Sequence, residues 1–152
     1  CIAVDPWFIV SSAPTLSRLI RTAREVNDGK PTWVIDQVHK ALAEQPGARV
    51  AALGLAFKPD IDDLRESPAL NIADQLATEL GEDALLVVEP NVPELPARLA
   101  GRNIQLVGLD EALAQADLVV LLVDHKEFKE LPVERLTGKR VIDTRGTWRD
   151  LA

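Results

Sequence analysis

From residue 47 onward the chain alternates between short runs of consecutive apolar residues and segments of helical pattern, and this alternation narrows the possible folds more than any other feature. The runs are Arg49 to Leu55, Ala84 to Val88, Ile104 to Val107, Leu118 to Val123 and Arg140 to Ile142. A strand with one wet face alternates apolar and polar residues. These mostly do not, so both of their faces must be covered, as in a parallel sheet whose strands are joined by crossover helices. The expected class is α/β, a Rossmann-like three-layer sheet. Ser67 and Pro68 form a cap and first-turn pair that opens a helix through Leu80, with Gly81 as its stop. Asp110 and Glu111 are expected to cap a second helix through Ala116, and a short helix is expected from Glu94 to Leu99.

Ahead of this region the period is different. Leu16, Leu19, Ile20, Ala23 and Val26 recur at three- and four-residue spacing, and Val34, Ile35, Val38, Ala41 and Leu42 resume the pattern. A long amphipathic helical arm is expected, ending at Gln45-Pro46-Gly47. It should kink or break between Gly29 and Pro31, because Pro31 has no amide hydrogen and its ring crowds the carbonyl of Asn27. The division is thus an arm over 1–46 and a sheet domain over 47–152. An amphipathic helix outside a compact body must bury its apolar face somewhere, so self-association is expected.

Bulk properties exclude several function classes. With 152 residues the chain is long enough for one domain plus an appended element, and 47% hydrophobic against 27% charged residues is a globular balance. There is no unbroken apolar run of about 20 residues, so no membrane span is expected. A net charge of −7 without a Lys/Arg-rich stretch offers nothing to a nucleic-acid backbone. A single cysteine cannot close an internal disulfide, and the opening residues lack the layout of a signal peptide, which together point to a reducing cytoplasm. The chain opens on Cys1 and contains no Met, so it reads as a piece cut from a longer protein.

In open α/β sheets ligands sit beyond the carboxyl ends of the strands. The first strand runs into Gly54-Leu-Ala-Phe-Lys-Pro-Asp-Ile-Asp-Asp-Leu-Arg-Glu-Ser-Pro68, where Lys58 and Arg65 stand among four acidic residues just before a helix amino terminus. Two readings are open: a pocket for phosphate or pyrophosphate, or a solvated loop whose charges pair with one another. No G-x-x-x-x-G-K-[ST] is present, and Gly54 alone does not make G-x-G-x-x-G, so the chain carries no standard NAD site. Asp60, Asp62 and Asp63 lack the glycine and final Glu of a calcium loop, and His39 and His125 are the only histidines, so no metal site is expected. Cys1 is either a nucleophile or a small buried hydrophobe, and Asp5 either a proton-transfer group or a turn residue. Arg145, after the last strand, again lies at a carboxyl end and is otherwise a surface arginine.

Taken together, Cys1-Ile-Ala-Val-Asp5, the helix Leu19-Ile-Arg-Thr-Ala-Arg-Glu-Val-Asn-Asp28, Gly54-Leu-Ala-Phe-Lys58, Asp63-x-Arg-Glu-Ser-Pro68 and Val141-Ile-Asp-Thr-Arg145 resemble the UDP-glucose/GDP-mannose dehydrogenase family. The resemblance spans nearly the whole chain. It implies a four-electron oxidation of a sugar C6 alcohol to a carboxylate, with two NAD⁺ bound mainly by an amino-terminal domain that is not in this sequence. Cys1 matches the family nucleophile and Asp5 the carboxylate that positions water or moves a proton. Phe57 and Lys58 match the backbone and cation that hold the nucleotide sugar, and Arg145 a substrate-contacting arginine. Arg65 matches one that reaches the NAD or the reacting end of the substrate. UDP-glucose members usually carry Lys where Val4 stands, so the resemblance implies UDP-N-acetyl-D-mannosamine rather than UDP-glucose as substrate. UDP-N-acetylglucosamine or another UDP-sugar is an alternative. So is a non-catalytic nucleotide-binding or oligomerisation module. The arm resembles the family's interdomain, dimer-forming helix, and without the missing domain the 152 residues are expected to be inactive but UDP-binding.

Overall fold

The computed structural model describes residues 4–81 and 84–148. Five strands form at the five apolar runs: β1 (Val50–Leu53), β2 (Leu85–Val88), β3 (Ile104–Leu106), β4 (Leu118–Leu121) and β5 (Arg140–Asp143). They make one parallel sheet in the order β3-β2-β1-β4-β5. In register, Val50 faces Leu85 on one side and Leu118 on the other, so the three central strands end together at one rim.

The runs are apolar throughout because each strand feeds two cores. Val50, Ala52, Leu85, Val87, Leu118 and Val120 point to one side. There they meet helices α3 (Lys30–Glu44), through Val34, Ile35 and Val38, and α4 (Pro68–Glu79), through Ile72, Ala73 and Leu76. Ala51, Leu53, Val119 and Leu121 point to the other side. That face is covered by α5 (Leu109–Gln115), α6 (Lys126–Lys129), a 3₁₀ turn at Val133–Leu136 and the buried Trp148. The fold is the expected three-layer α/β sheet.

At the front, α1 (Asp5–Ser12) packs against α2 (Arg18–Asp28), and α2 runs into α3 with only Gly29 between them. The break falls where Pro31 predicts it, and Pro31 itself sits in the first turn of α3, where the missing amide hydrogen costs no helical bond. The two halves of the arm then differ. α3 buries Val34, Ile35, Val38 and Ala41, whereas α2 buries no residue and leaves Leu19 at 83% exposure.

Two expectations fail. The cap position of α5 is Gly108, with Asp110 and Glu111 inside the first turn and no side-chain cap bond. No helix forms from Glu94 to Leu99; residues 93–103 run as turns and irregular backbone, because Pro93 and Pro96 remove two amide donors from so short a segment. The helix α1 was not anticipated either, since Asp5-Pro6 read as a turn; a proline in the first turn is compatible with a helix start.

Candidate functional site

From β1 the chain crosses to β2 on one side of the sheet and later to β4 on the other, so the strand order reverses at β1. A crevice outside the carboxyl ends of β1 and β4 is the ordinary ligand position in such a sheet. Its floor is tight. Gly54 adopts φ +91°, and a Cβ placed there would lie 2.5 Å from Cβ of Val123. No other residue fits this conformation and contact without displacing Val123 and the backbone that follows β4.

The loop after Gly54 is anchored residue by residue. The amides of Leu55 and Ala56 both donate to Oε2 of Glu89, at 2.7 and 3.0 Å. Ser67 Oγ donates to the carbonyl of Leu55 at 2.7 Å and accepts from the amide of Leu70, so one side chain both caps α4 and ties the loop to it. The Phe57 amide donates to the carbonyl of Asp63 at 2.8 Å. Asp60, at φ +62°, donates its amide to Nδ1 of His125 at 2.9 Å and accepts the amide of Lys126 on its carboxylate at 2.8 Å.

These contacts fix the protonation pattern. Because Nδ1 of His125 accepts a backbone proton, the ring hydrogen sits on Nε2, which donates to Oε2 of Glu89 at 3.0 Å. Both side chains are fully enclosed. Burial pushes the Glu89 carboxyl upward, but the bonds from His125, Leu55 and Asn91 outweigh it and hold the group below the usual range. Glu89 is therefore an ionised acceptor beneath the loop and His125 a neutral donor.

Above this base, Phe57 and Pro59 line a cavity of about 120 Å³ together with Pro68, Val123 and Arg145. Lys58, between the first two, is exposed and has its ammonium 5.8 Å over the Phe57 ring. Arg145 is brought to the rim by a bend in which Asp143 accepts the amides of Arg145, Gly146 and Trp148. Its Nε donates to Asp124 at 2.8 Å, and the other oxygen of Asp124 holds the ammonium of Lys129 at 2.9 Å. Burial raises the Asp124 carboxyl, yet the bonds from Lys129 and Arg145 prevail and keep it low, so it is a fixed anion. Arg145 also lines a wider groove of about 310 Å³ with Asn27, Pro31 and Thr144.

The structure thus brings Phe57, Lys58 and Arg145 to one rim, at the first and last strands. Arg65 is elsewhere on the loop. Its guanidinium grips Asp63 at 2.9 and 2.8 Å, is 89% exposed, and draws the Asp63 carboxyl down to about 2. Asp5 is the exposed first residue of α1, flanked by Val4 and Trp7, which line a groove of about 430 Å³ with Phe57, Arg24 and Asn71. Cys1 lies outside the described residues. Sequence reasoning missed Glu89, Asp124 and His125. Glu89 follows directly on β2, and Asp124 and His125 come three and four residues after β4, positions that could have exposed them had every strand been read at its carboxyl end.

Residues 51–150 match the UDP-glucose/GDP-mannose dehydrogenase family, UDP binding domain. The UDP-N-acetyl-D-mannosamine dehydrogenase of Salmonella typhi is 55% identical over 98% of this chain, and the chain spans 37% of that relative. The NDP-N-acetyl-D-galactosaminuronic acid dehydrogenase of Ralstonia nicotianae is 53% identical over 97% of the chain and 34% of its own length. Among solved structures, the UDP-N-acetyl-mannosamine dehydrogenase of S. aureus superposes with a TM-score of 0.75 at 32% identity, over 97% of this chain and 34% of that one. The order β3-β2-β1-β4-β5, the rim at Phe57 and Arg145, and these likenesses lead to one conclusion: the chain belongs to the UDP-glucose/GDP-mannose dehydrogenase family.

Proposed function

We propose that these residues form the UDP-binding part of a nucleotide-sugar 6-dehydrogenase that oxidises UDP-N-acetyl-D-mannosamine to the corresponding uronate with two NAD⁺. The observation that carries the reading is the cavity shared by Phe57, Pro59 and Arg145 at the strand-order reversal, with the ammonium of Lys58 5.8 Å over the Phe57 ring. Two cations, in the loops after β1 and β5, suit a diphosphate: Arg145, steadied through Nε, can give a paired bond, and Lys58 adds a second charge. UDP-N-acetylmannosamine is favoured over other UDP-sugars by the 55% identity to an enzyme named for it.

In the whole enzyme Cys1 attacks the aldehyde formed at C6, and hydride loss from the thiohemiacetal leaves a thioester that water hydrolyses, with Asp5 positioning the water or taking its proton. The covalent link keeps a reactive aldehyde from diffusing away. NAD⁺ supplies the hydride acceptor. Its site is assigned to an amino-terminal domain outside these residues, since Gly54 closes on Val123 and offers no backbone to a dinucleotide here; Arg65, which pairs with Asp63 in this structure, would have to leave that carboxylate to meet the cofactor or the reacting end of the sugar. Residues 1–46 serve as the cysteine segment and linking arm, and 47–152 as the UDP-binding domain. The exposed Leu16, Leu19 and Val26 are covered by a second copy of the chain, giving a homodimer. The enzyme works in the cytoplasm.

Calorimetric titration of UDP into the protein tests the reading. UDP should bind, and Lys58→Ala should weaken it by about 1–3 kcal/mol, the scale of a lost charge-assisted hydrogen bond. Absence of UDP binding overturns it. In the full-length protein Cys1→Ser should abolish turnover with UDP binding retained, whereas turnover by the 152 residues alone would contradict the assignment of the NAD⁺ site.

A further inference from the structure

We infer that Glu89 and His125 are positioning residues for the nucleotide-sugar site: a buried acceptor pair that sets the Phe57-Lys58 turn at the height and angle at which it meets the diphosphate. The inference rests on the rim being the UDP site.

Apart from the neighbouring Asn91, the partners of this pair lie in a single loop. The carboxylate of Glu89 takes the amides of Leu55 and Ala56 just before the turn, and Nδ1 of His125 takes the amide of Asp60 just after it. The bond between Nε2 of His125 and Glu89 joins the two anchors, so the ends of the turn are tied to each other through side chains from the ends of β2 and β4. Asn91 braces the arrangement, donating its amide to Oε1 of Glu89 at 3.0 Å with its side-chain nitrogen 3.1 Å from Nδ1 of His125. None of these bonds supports a ladder pair of the sheet. Phe57 and Lys58 lie between the anchors in the chain.

A buried carboxylate is a poor choice if stability is all that is required, since a well-packed apolar side chain does as well or better. An ionised group is the right choice where two adjacent backbone amides must point in one direction, because a single anion accepts several donors at once and holds them more firmly than a neutral oxygen. Leu55 and Ala56 are both fully buried, so without Glu89 their amides would have to turn elsewhere, and Lys58 would turn with them.

The pair can be tested in the full-length protein by UDP calorimetry, steady-state kinetics and amide hydrogen exchange. Glu89→Gln keeps the shape but removes the charge: its single oxygen is left as a neutral, weaker acceptor for the loop amides, and its NH2 group is set against the amide of Asn91. It should raise the Kd for UDP and the KM for the UDP-sugar by about tenfold or more, leave kcat at saturation within about twofold, and speed exchange at Leu55 to Asp60. His125→Asn, which leaves Glu89 in place, should give a smaller loss of the same kind, and His125→Gln, which keeps a donor for Glu89, should recover part of it. If Glu89→Gln does not fold, the two His125 variants decide. Variants that lower Tm while binding UDP as tightly as the wild type overturn the inference and leave the UDP reading standing. A wild-type protein that does not bind UDP overturns both.

Discussion

In the rim loop the amides of Leu55, Ala56, Phe57 and Asp60 end on Glu89, His125 and the carbonyl of Asp63, whereas in the α1–α2 hairpin large apolar side chains such as Phe8, Leu16 and Leu19 end in solvent. Both segments lie outside the sheet. The loop is specified from within: its geometry follows from acceptors that the sheet itself presents. The helical hairpin is specified only in part, since α2 buries no residue and its apolar stripe is left uncovered by the described residues. A region of the first kind should report damage as lost folding or lost ligand affinity. A region of the second kind should report it as lost assembly.

The sharpest way to break that contrast is Gly54→Ala. Positive φ and a 2.5 Å clash with Val123 together should cost about 3 kcal/mol, lowering Tm by roughly 6–12 °C in thermal denaturation. A shift of only a degree or two would mean that the β1–β4 seam yields. Ser67→Ala should follow at about 1–2 kcal/mol, because it removes the cap of α4 and the tie to Leu55 together. In the hairpin, Leu19→Glu should leave the unfolding free energy of the dilute chain within about 0.5 kcal/mol and instead weaken self-association, seen as a shift to the monomer in sedimentation velocity. If it unfolds the chain, the hairpin is internally supported after all.

The smallest effect concerns the exposed end of the loop. Arg65 holds the Asp63 carboxyl at about 2 against an ordinary 3.8, so the stabilisation from this pair is fully present above about pH 4 and is lost as pH falls through 2. The Asp63 carboxyl followed by NMR should titrate with a midpoint near 2, and Arg65→Ala should return it towards 3.8. An unchanged midpoint in the variant would assign the shift to something other than Arg65.

The contrast also marks what the sequence could reveal. Strands were legible because burial on both faces leaves unbroken apolar runs, and α4 because Ser67-Pro68 and Gly81 punctuate it. The sites of Phe57, Lys58 and Arg145 were legible as positions at strand ends, but the meeting of Phe57 and Arg145 in one cavity depends on β5 lying beside β4, a pairing across 22 residues that no local pattern encodes. Glu89 and His125 were harder still. Each is an ordinary polar residue in sequence, and only the fold makes them adjacent, 36 positions apart. The short α6 and the 3₁₀ turn hold too few residues to show a period.

A glycine ending the first strand of a nucleotide-binding sheet commonly lets a phosphate settle against bare backbone. Gly54 has the opposite consequence, because its missing side chain is taken up by Val123, which welds the trough shut beneath the ligand. On the proposed site, a nucleotide would ride on the lip of this crevice and be read by side chains or by amides further along, so that exchanging lip residues would retune nucleotide preference while the joint below stays as it is.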